Sequence, residues 1–262
     1  MRTIAGFLIV AGAALGVQTA ARPAFDAFEV ATIKPTDPGV QGRWIRMETA
    51  HQFHARNHAL LTLIAAAYNL SPRAISGWPA WVESEHFDIL AKAPGEMRPN
   101  LDEQMRMLRK LLEERFHLAF HWERKELPIY ALTMAKGGPK MKEATIVPGG
   151  PEGPPPLVFV LSPDGVTLPG RYTSMAEFAS VFQRAALDRP VVDQTGLTGR
   201  YDFDLQFTAD ESLFGGALRA PDVPTKPDLF AALQQQLGLK LEATRGPVDA
   251  LVIDRVEKPS EN

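Results

Sequence analysis

Histidines and carboxylates come first, because zinc and acid–base chemistry both need them close together. His51, His54 and His58 crowd one stretch, and His117 and His121 are spaced to share one strand face. The spacing does not favour a metal. His51 and His54 have opposite strand parity, and His58 stands at a predicted helix start. His117 and His121 would lie about 13 Å apart along a strand, too far for one ion. Solvated or hydrogen-bonded imidazoles are the simpler reading. Asp202 and Asp204 share the face of a predicted strand opposite Phe203 and Leu205. Paired carboxylates can do acid–base work or hold calcium. On an alternating strand they are more simply the solvent face. Asp193 precedes a Gly196 turn and is placed to accept local backbone N–H groups. Arg200 is placed to pair with one of these acids. The reading therefore assigns no catalytic residue, no metal and no cofactor.

Trp78 and Trp81 could form a stacking platform for a sugar or peptide, but burial against the adjacent helix is the simpler reading, since two tryptophans bury much apolar area. The chain has no Gly-x-Ser-x-Gly elbow, Ser-x-x-Lys pair, phosphate loop or dinucleotide glycine signature. Gly196 and Gly199 precede a strand rather than open a helix, so phosphate cradling is not supported.

The elements that must position these residues follow one rhythm. Phe28–Lys34 alternates as a strand, and Trp44–Ala55 reads as extended. Asn57 is a candidate cap for a helix carrying Leu60, Leu61, Leu63, Ile64, Ala67 and Tyr68. Phe87–Lys92 is a strand, and Asn100 with Glu103 forms a capping box before a helix reaching Phe116. Leu118–Glu123 alternates, and Pro128 opens a separate strand over Ile129–Met134. The second half repeats the order. Leu157–Leu161 and Gly165–Leu168 are extended, and Ser174 with Glu177 caps a helix bearing Met175, Phe178, Val181 and Phe182. Pro190–Leu205 reads as a short apolar strand, a glycine turn and an alternating strand, with an echo at Ile75–Lys92. Leu229–Leu237 is a helix stopped by Gly238, Leu239–Ala243 is a strand, Arg245-Gly246-Pro247 a turn and Val248–Val256 the last strand. Leu60 aligns with Met175, Phe87 with Phe203 and Pro128 with Pro247 at nearly constant offset.

The predicted fold is therefore α+β. Two similar lobes, an internal duplication, each pack two helices on one face of a small, mostly antiparallel sheet. The lobes are 22–147 and 157–262, joined by a Pro/Gly-rich linker at 148–156.

The 262 residues are 45% hydrophobic and 23% charged, ordinary for a globular chain. A net charge of −3 offers no basic footprint, which argues against nucleic acid. Cysteine is absent, which excludes disulfides, thiolate metal sites and cysteine nucleophiles. Residues 1–21 read as a signal peptide: Arg2, an apolar run from Ile4 to Val17, then small residues for cleavage after Ala20 or Ala21. An uncleaved anchor is the alternative. No later segment is apolar enough to span a membrane. The expected location is exported, periplasmic or secreted.

Phe28-Glu-Val-Ala-Thr-Ile-Lys-Pro35, Leu111–His121, Glu126–Leu132, Ala135–Lys140, Pro190–Leu205, Gln236–Val248 and Val256–Asn262 together resemble a large family of uncharacterised exported proteins. That family is a domain of unknown function expanded in soil bacteria, especially Acidobacteria. The resemblance covers essentially all of the mature chain and brings no catalytic residues with it. It implies an extracytoplasmic sensing or binding role, because relatives carry the domain beside a membrane metallopeptidase of the antibiotic-sensor type. The helix-then-strand rhythm is also similar to the N-terminal modules of secretins and TonB-dependent receptors, a fold-level analogy only. The expected function is an exported, cofactor-free binding or sensing module for a protein, peptide or glycan, held between the lobes or on a sheet edge. The alternatives are an uncatalogued extracytoplasmic hydrolase and a structural component of an envelope assembly.

Overall fold

Two capping boxes anchor the helical layer. Asn100 and Glu103 exchange side-chain and backbone hydrogen bonds at the start of one helix, and Ser174 with Glu177 does the same at another. The computed structural model describes residues 23–148, 157–216, 218–219 and 221–259. The expected signal peptide lies outside the described residues, as does all but Pro148 of the expected linker.

In chain order the strands are β1 Val30–Pro35, β2 Trp44–Met47, β3 Gln52–Ala59, β4 Ile75–Ser76, β5 His86–Lys92, β6 Ala119–Met134, β7 Lys142–Glu143, β8 Val160–Ser162, β9 Gly165–Thr173, β10 Val191–Asp193, β11 Tyr201–Phe207 and β12 Leu239–Arg255. The helices are α1 Leu60–Ala67, α2 Trp81–Ser84, α3 Leu101–Arg115, α4 Met175–Val181 and α5 Leu229–Ala232. The π-helical turns Phe182–Ala186 and Leu233–Leu237 continue α4 and α5.

The fold is mixed α+β, as expected, but it has three sheets and not one per half. Two are antiparallel, ordered β1-β5-β3-β2 and β7-β11-β9-β8. The third, β10-β6-β12-β4, is built on a long antiparallel ribbon of β6 and β12, with β10 added parallel to β6 and β4 parallel to β12.

That ribbon corrects the sequence reading at Pro128 and at Arg245-Gly246-Pro247. Both stretches run straight through the ladder, Pro128 opposite Arg245 and Pro247 opposite Glu126. A proline can sit inside a strand when its missing N–H faces an unpaired edge. Here β10 covers β6 only at Tyr130–Leu132, and β4 covers β12 only at Leu251–Val252. Both prolines therefore lie where the ribbon's outer edge carries no neighbouring strand. Arg245 Nη2 also donates to the Glu126 carbonyl at 2.9 Å across the crossing.

Two apolar cores form, and the ribbon serves both. The first gathers Phe53, Leu60, Leu63, Ile64, Phe87, Ile89, Leu108, Leu112 and Phe116, and it includes Leu251 and Ile253 from the far end of the chain. The second gathers Phe178, Phe182, Phe203, Leu205, Phe207, Leu229, Leu233 and Leu239, and it includes Leu132 of β6.

A bulge interrupts each outer antiparallel sheet. In the first, Asn57 is left-handed (φ 56°) and its N–H donates to Asp88 Oδ1 at 2.8 Å. In the second, Tyr172 is left-handed (φ 54°) and its N–H donates to Asp202 Oδ1 at 2.8 Å. Asn57 therefore does not cap α1, as had been expected; Ala59 holds that position with no side-chain cap. Beside the bulges, His58 pairs with Phe87 and Thr173 with Tyr201. Phe203, with which the sequence reading aligned Phe87, instead pairs with Gly170 on the other side of its bulge, so the two phenylalanines hold different places.

Candidate functional site

Most of the residues singled out for chemistry are separated by the fold. His54 Nδ1 lies 3.2 Å from Glu48, and Trp44 packs near-perpendicular to its ring. His58 is buried at 8% exposure, with Nδ1 3.1 Å from Thr62 Oγ1. Burial, followed by the Arg43 charge, pushes its pKa down to about 4. His117 does not share a strand with His121. It occupies a left-handed turn (φ 49°) after α3, since Leu118 N–H reaches back to the Leu112 carbonyl and β6 starts only at Ala119. Among the described residues no group of three His, Asp or Glu side chains could hold a metal ion.

The acids each have their own partner. Asp202 holds the bulge, whereas Asp204 takes Arg171 in a two-pronged contact at 2.9 and 3.2 Å. Asp193 accepts from Thr195 N–H and Oγ1 at 3.0 and 2.8 Å, the local role expected of it. Arg200 does not bind these acids. It binds Glu177 at 2.9 Å and the Tyr172 carbonyl at 2.8 Å, because the bulge turns that carbonyl toward it. Trp78 packs on the first core, as does Trp81, whose ring meets Phe87 near-perpendicular.

A polar chain crosses the ribbon on one face. Asp254 Oδ1 is 2.8 Å from His121 Nδ1, and His121 Nε2 is 3.4 Å from Glu123. Glu123 is 2.8 Å from Lys125 Nζ, which donates to Ser76 Oγ at 3.2 Å. A serine beside a lysine can be a nucleophile with its base, but that chemistry needs a free uncharged amine. The Lys125 amine is instead bound in an ion pair. Hydrogen bonds from His121 to Asp254 and Glu123 raise the imidazole pKa. The chain is half-exposed, which suits a ladder of cross-strand pairs.

The concave feature that draws on both halves lies over the middle of the ribbon. It is a cleft of about 310 Å³, open to solvent. Its floor is Arg124 of β6 with Pro247–Asp249 of β12. One wall is the segment leading into β4, with Leu70, Ser71 and Ala74; the other is Gln183 with Pro190–Val192. Arg124 and Asp249 face each other in register, 3.4 Å apart and about 70% exposed. The walls are stapled together. Gln183 Nε2 donates to the Asn69 carbonyl at 2.7 Å, its Oε1 accepts from Val191 N–H at 3.2 Å, and Ser180 Oγ bonds Asn69 Oδ1 at 2.5 Å. Arg73 and Asp188 add an ion pair at 3.1 Å.

Beneath the cleft surface two buried hydroxyls have no partner among the described residues. Ser71 is 1% exposed, and its Oγ has no hydrogen-bond partner among the described residues. Nearby Tyr68 likewise has a buried, unpartnered hydroxyl, and burial pushes its pKa up to about 12. Trp122 lies one face-step from Arg124, about 7 Å along β6, and is 50% exposed. Near-perpendicular rings of Phe120 and Tyr68 hold it at 5.7 and 6.3 Å. Sequence reading passed over this cleft. Trp122 alternates with Phe120 and Leu118 and so reads as a core residue, and Ser71 carries no motif.

No helix among the described residues is long and apolar enough to cross a membrane. No curated protein and no solved structure matches the chain. A family match spans residues 61–256, which take in every residue of the cleft, and its description is a protein of unknown function (DUF3738). The chain therefore belongs to the DUF3738 family.

Proposed function

We propose that the protein is an exported, cofactor-free binding module, and that its ligand occupies the cleft over the ribbon. The observation that carries this is the concave surface itself, floored by the exposed Arg124–Asp249 pair and walled by segments from both halves. A concave surface with a few convergent polar groups is the ordinary form of a ligand site.

We further propose that the cleft arose by duplication. The outer sheets have the same order, and each bulge is an Asp-held left-handed residue. Leu60 and Met175 each open a helix after a bulged strand. The segments walling the cleft each lead into a two- or three-residue strand, β4 or β10, laid parallel on the ribbon. These correspondences support two copies of one unit, the second opening with β7 at Lys142–Glu143 and so before the expected 157–262 lobe.

Two experiments test the reading. Chemical-shift mapping of isotope-labelled mature protein against peptide and glycan libraries is expected to move the amides of Ser71, Arg124, Gln183 and Val191. Saturable shifts elsewhere, with these unmoved, would overturn the cleft as the site. For export, fractionation of expressing cells with N-terminal sequencing is expected to find mature chain beginning near residue 21 or 22. Recovery of uncleaved chain from the cytoplasm would overturn that part.

A further inference from the structure

We infer that the cleft takes an uncharged carbohydrate, stacked on Trp122 at its margin and hydrogen-bonded by Arg124 and Asp249; this rests on the reading of the cleft as a binding site. Charge selects first. Around the cleft Arg124 pairs with Asp249, Arg73 shares Asp188 with Arg189, and Glu126 stands on the same strand face as Arg124, so three arginines meet three carboxylates. Such pairs cancel at a distance, so no field draws an ion of either sign. They still offer directional contacts: the guanidinium only donates and the carboxylate only accepts. A hydroxyl does both, so adjacent sugar hydroxyls can satisfy the two side chains together.

The aromatic group selects next. A tryptophan with half its surface in water gives up part of the stabilisation that burial of its indole would bring. Its ring is not loose, since Phe120 and Tyr68 fix it from near-perpendicular positions. A fixed, exposed aromatic face beside hydrogen-bonding groups is suited to the C–H face of a pyranose ring.

An extended peptide fits less well. Strand addition needs an open backbone edge. At the cleft, the outward N–H of Val191 on β10 is already taken by Gln183 Oε1. The uncovered part of β6 carries His121, Glu123, Arg124, Lys125 and Glu126, a run of charge that opposes added strands.

The test uses the mature chain with neutral oligosaccharides, namely cello-, xylo-, malto- and chito-oligosaccharides, and with uncharged peptides as the comparison. Titration calorimetry and amide shift mapping are read together. At least one sugar series is expected to bind saturably, shift Ser71 and Arg124, and change Trp122 fluorescence. Trp122→Ala should weaken binding by about tenfold or more and Trp122→Phe, which keeps the packing on Phe120 and Tyr68, by less, each variant being measured below the onset of its own thermal melt. Arg124→Gln and Asp249→Asn should each weaken it as well. If peptides move the cleft amides and no sugar does, the carbohydrate assignment falls and the cleft reading stands. If neither class moves them, both fall. Sugar binding that Trp122→Ala leaves unchanged overturns the stacking role.

Discussion

His58 and His121 show how one residue type is pushed in opposite directions by its surroundings. His58 is buried beside Arg43, with a smaller opposing pull from the Trp44 backbone, and its pKa falls to about 4. An unfolded histidine titrates near 6.5. The folded state therefore binds this proton less readily than the unfolded state, and acid favours unfolding. Stability is complete above about pH 6.5 and is lost as pH falls toward 4, by roughly 2–3 kcal/mol. Urea midpoints at pH 7.5 and pH 4.5 should show that loss, and His58→Leu should lose less over the same interval. An equal loss in the variant would assign the acid sensitivity to carboxylates instead. His121 is exposed, and its bonds to Asp254 and Glu123 favour the cation. In Asp254→Asn, the His121 imidazole should titrate at lower pH by proton NMR. Neither environment was legible in the sequence. The partners of His121 lie on β6 and at the end of β12, and Arg43 lies outside the strand that carries His58.

Helix starts were the most legible elements, because a capping box is written within four residues of chain. Asn100 with Glu103 and Ser174 with Glu177 formed as read. The strands across Pro128 and Pro247 were misread, because proline punctuates a strand unless its N–H side faces open space, which only sheet order decides. The bulges were invisible as well: Tyr172 is a poor left-handed residue on propensity alone. Asp202→Ala removes the acceptor for the Tyr172 N–H and should cost about 1–3 kcal/mol in chemical denaturation, with Asp202→Asn recovering most of it. No loss in the alanine variant would remove the bulge clamp. Gly238 ends the last helix at φ 68°, and a Cβ there would sit 2.1 Å from the Gly138 carbonyl oxygen. Gly238→Ala should therefore lower stability by at least about 2 kcal/mol, read from the same urea curves.

At the scale of the molecule, the ribbon ties the two cores into one unit. The first core takes Leu251 and Ile253 from beyond residue 250, and the second takes Leu132 from the first half. Calorimetry of residues 23–262 should show one cooperative transition. A fragment of residues 23–148 lacks those two side chains and the whole β12 partner of β6, and it should show no sharp melt. Two separable transitions, or a fragment that melts cooperatively by itself, would overturn the shared-ribbon account. By itself the sequence determined the α+β class, the capped helices and most strand positions, because these rest on periodicity and on contacts a few residues apart. Only the tertiary structure decided that β6 and β12 run through their prolines as one ribbon, and that Ser71, Trp122, Arg124 and Asp249 gather over it. Those four are brought together by strand register between segments more than a hundred residues apart in the chain, and register is set by packing the whole molecule at once.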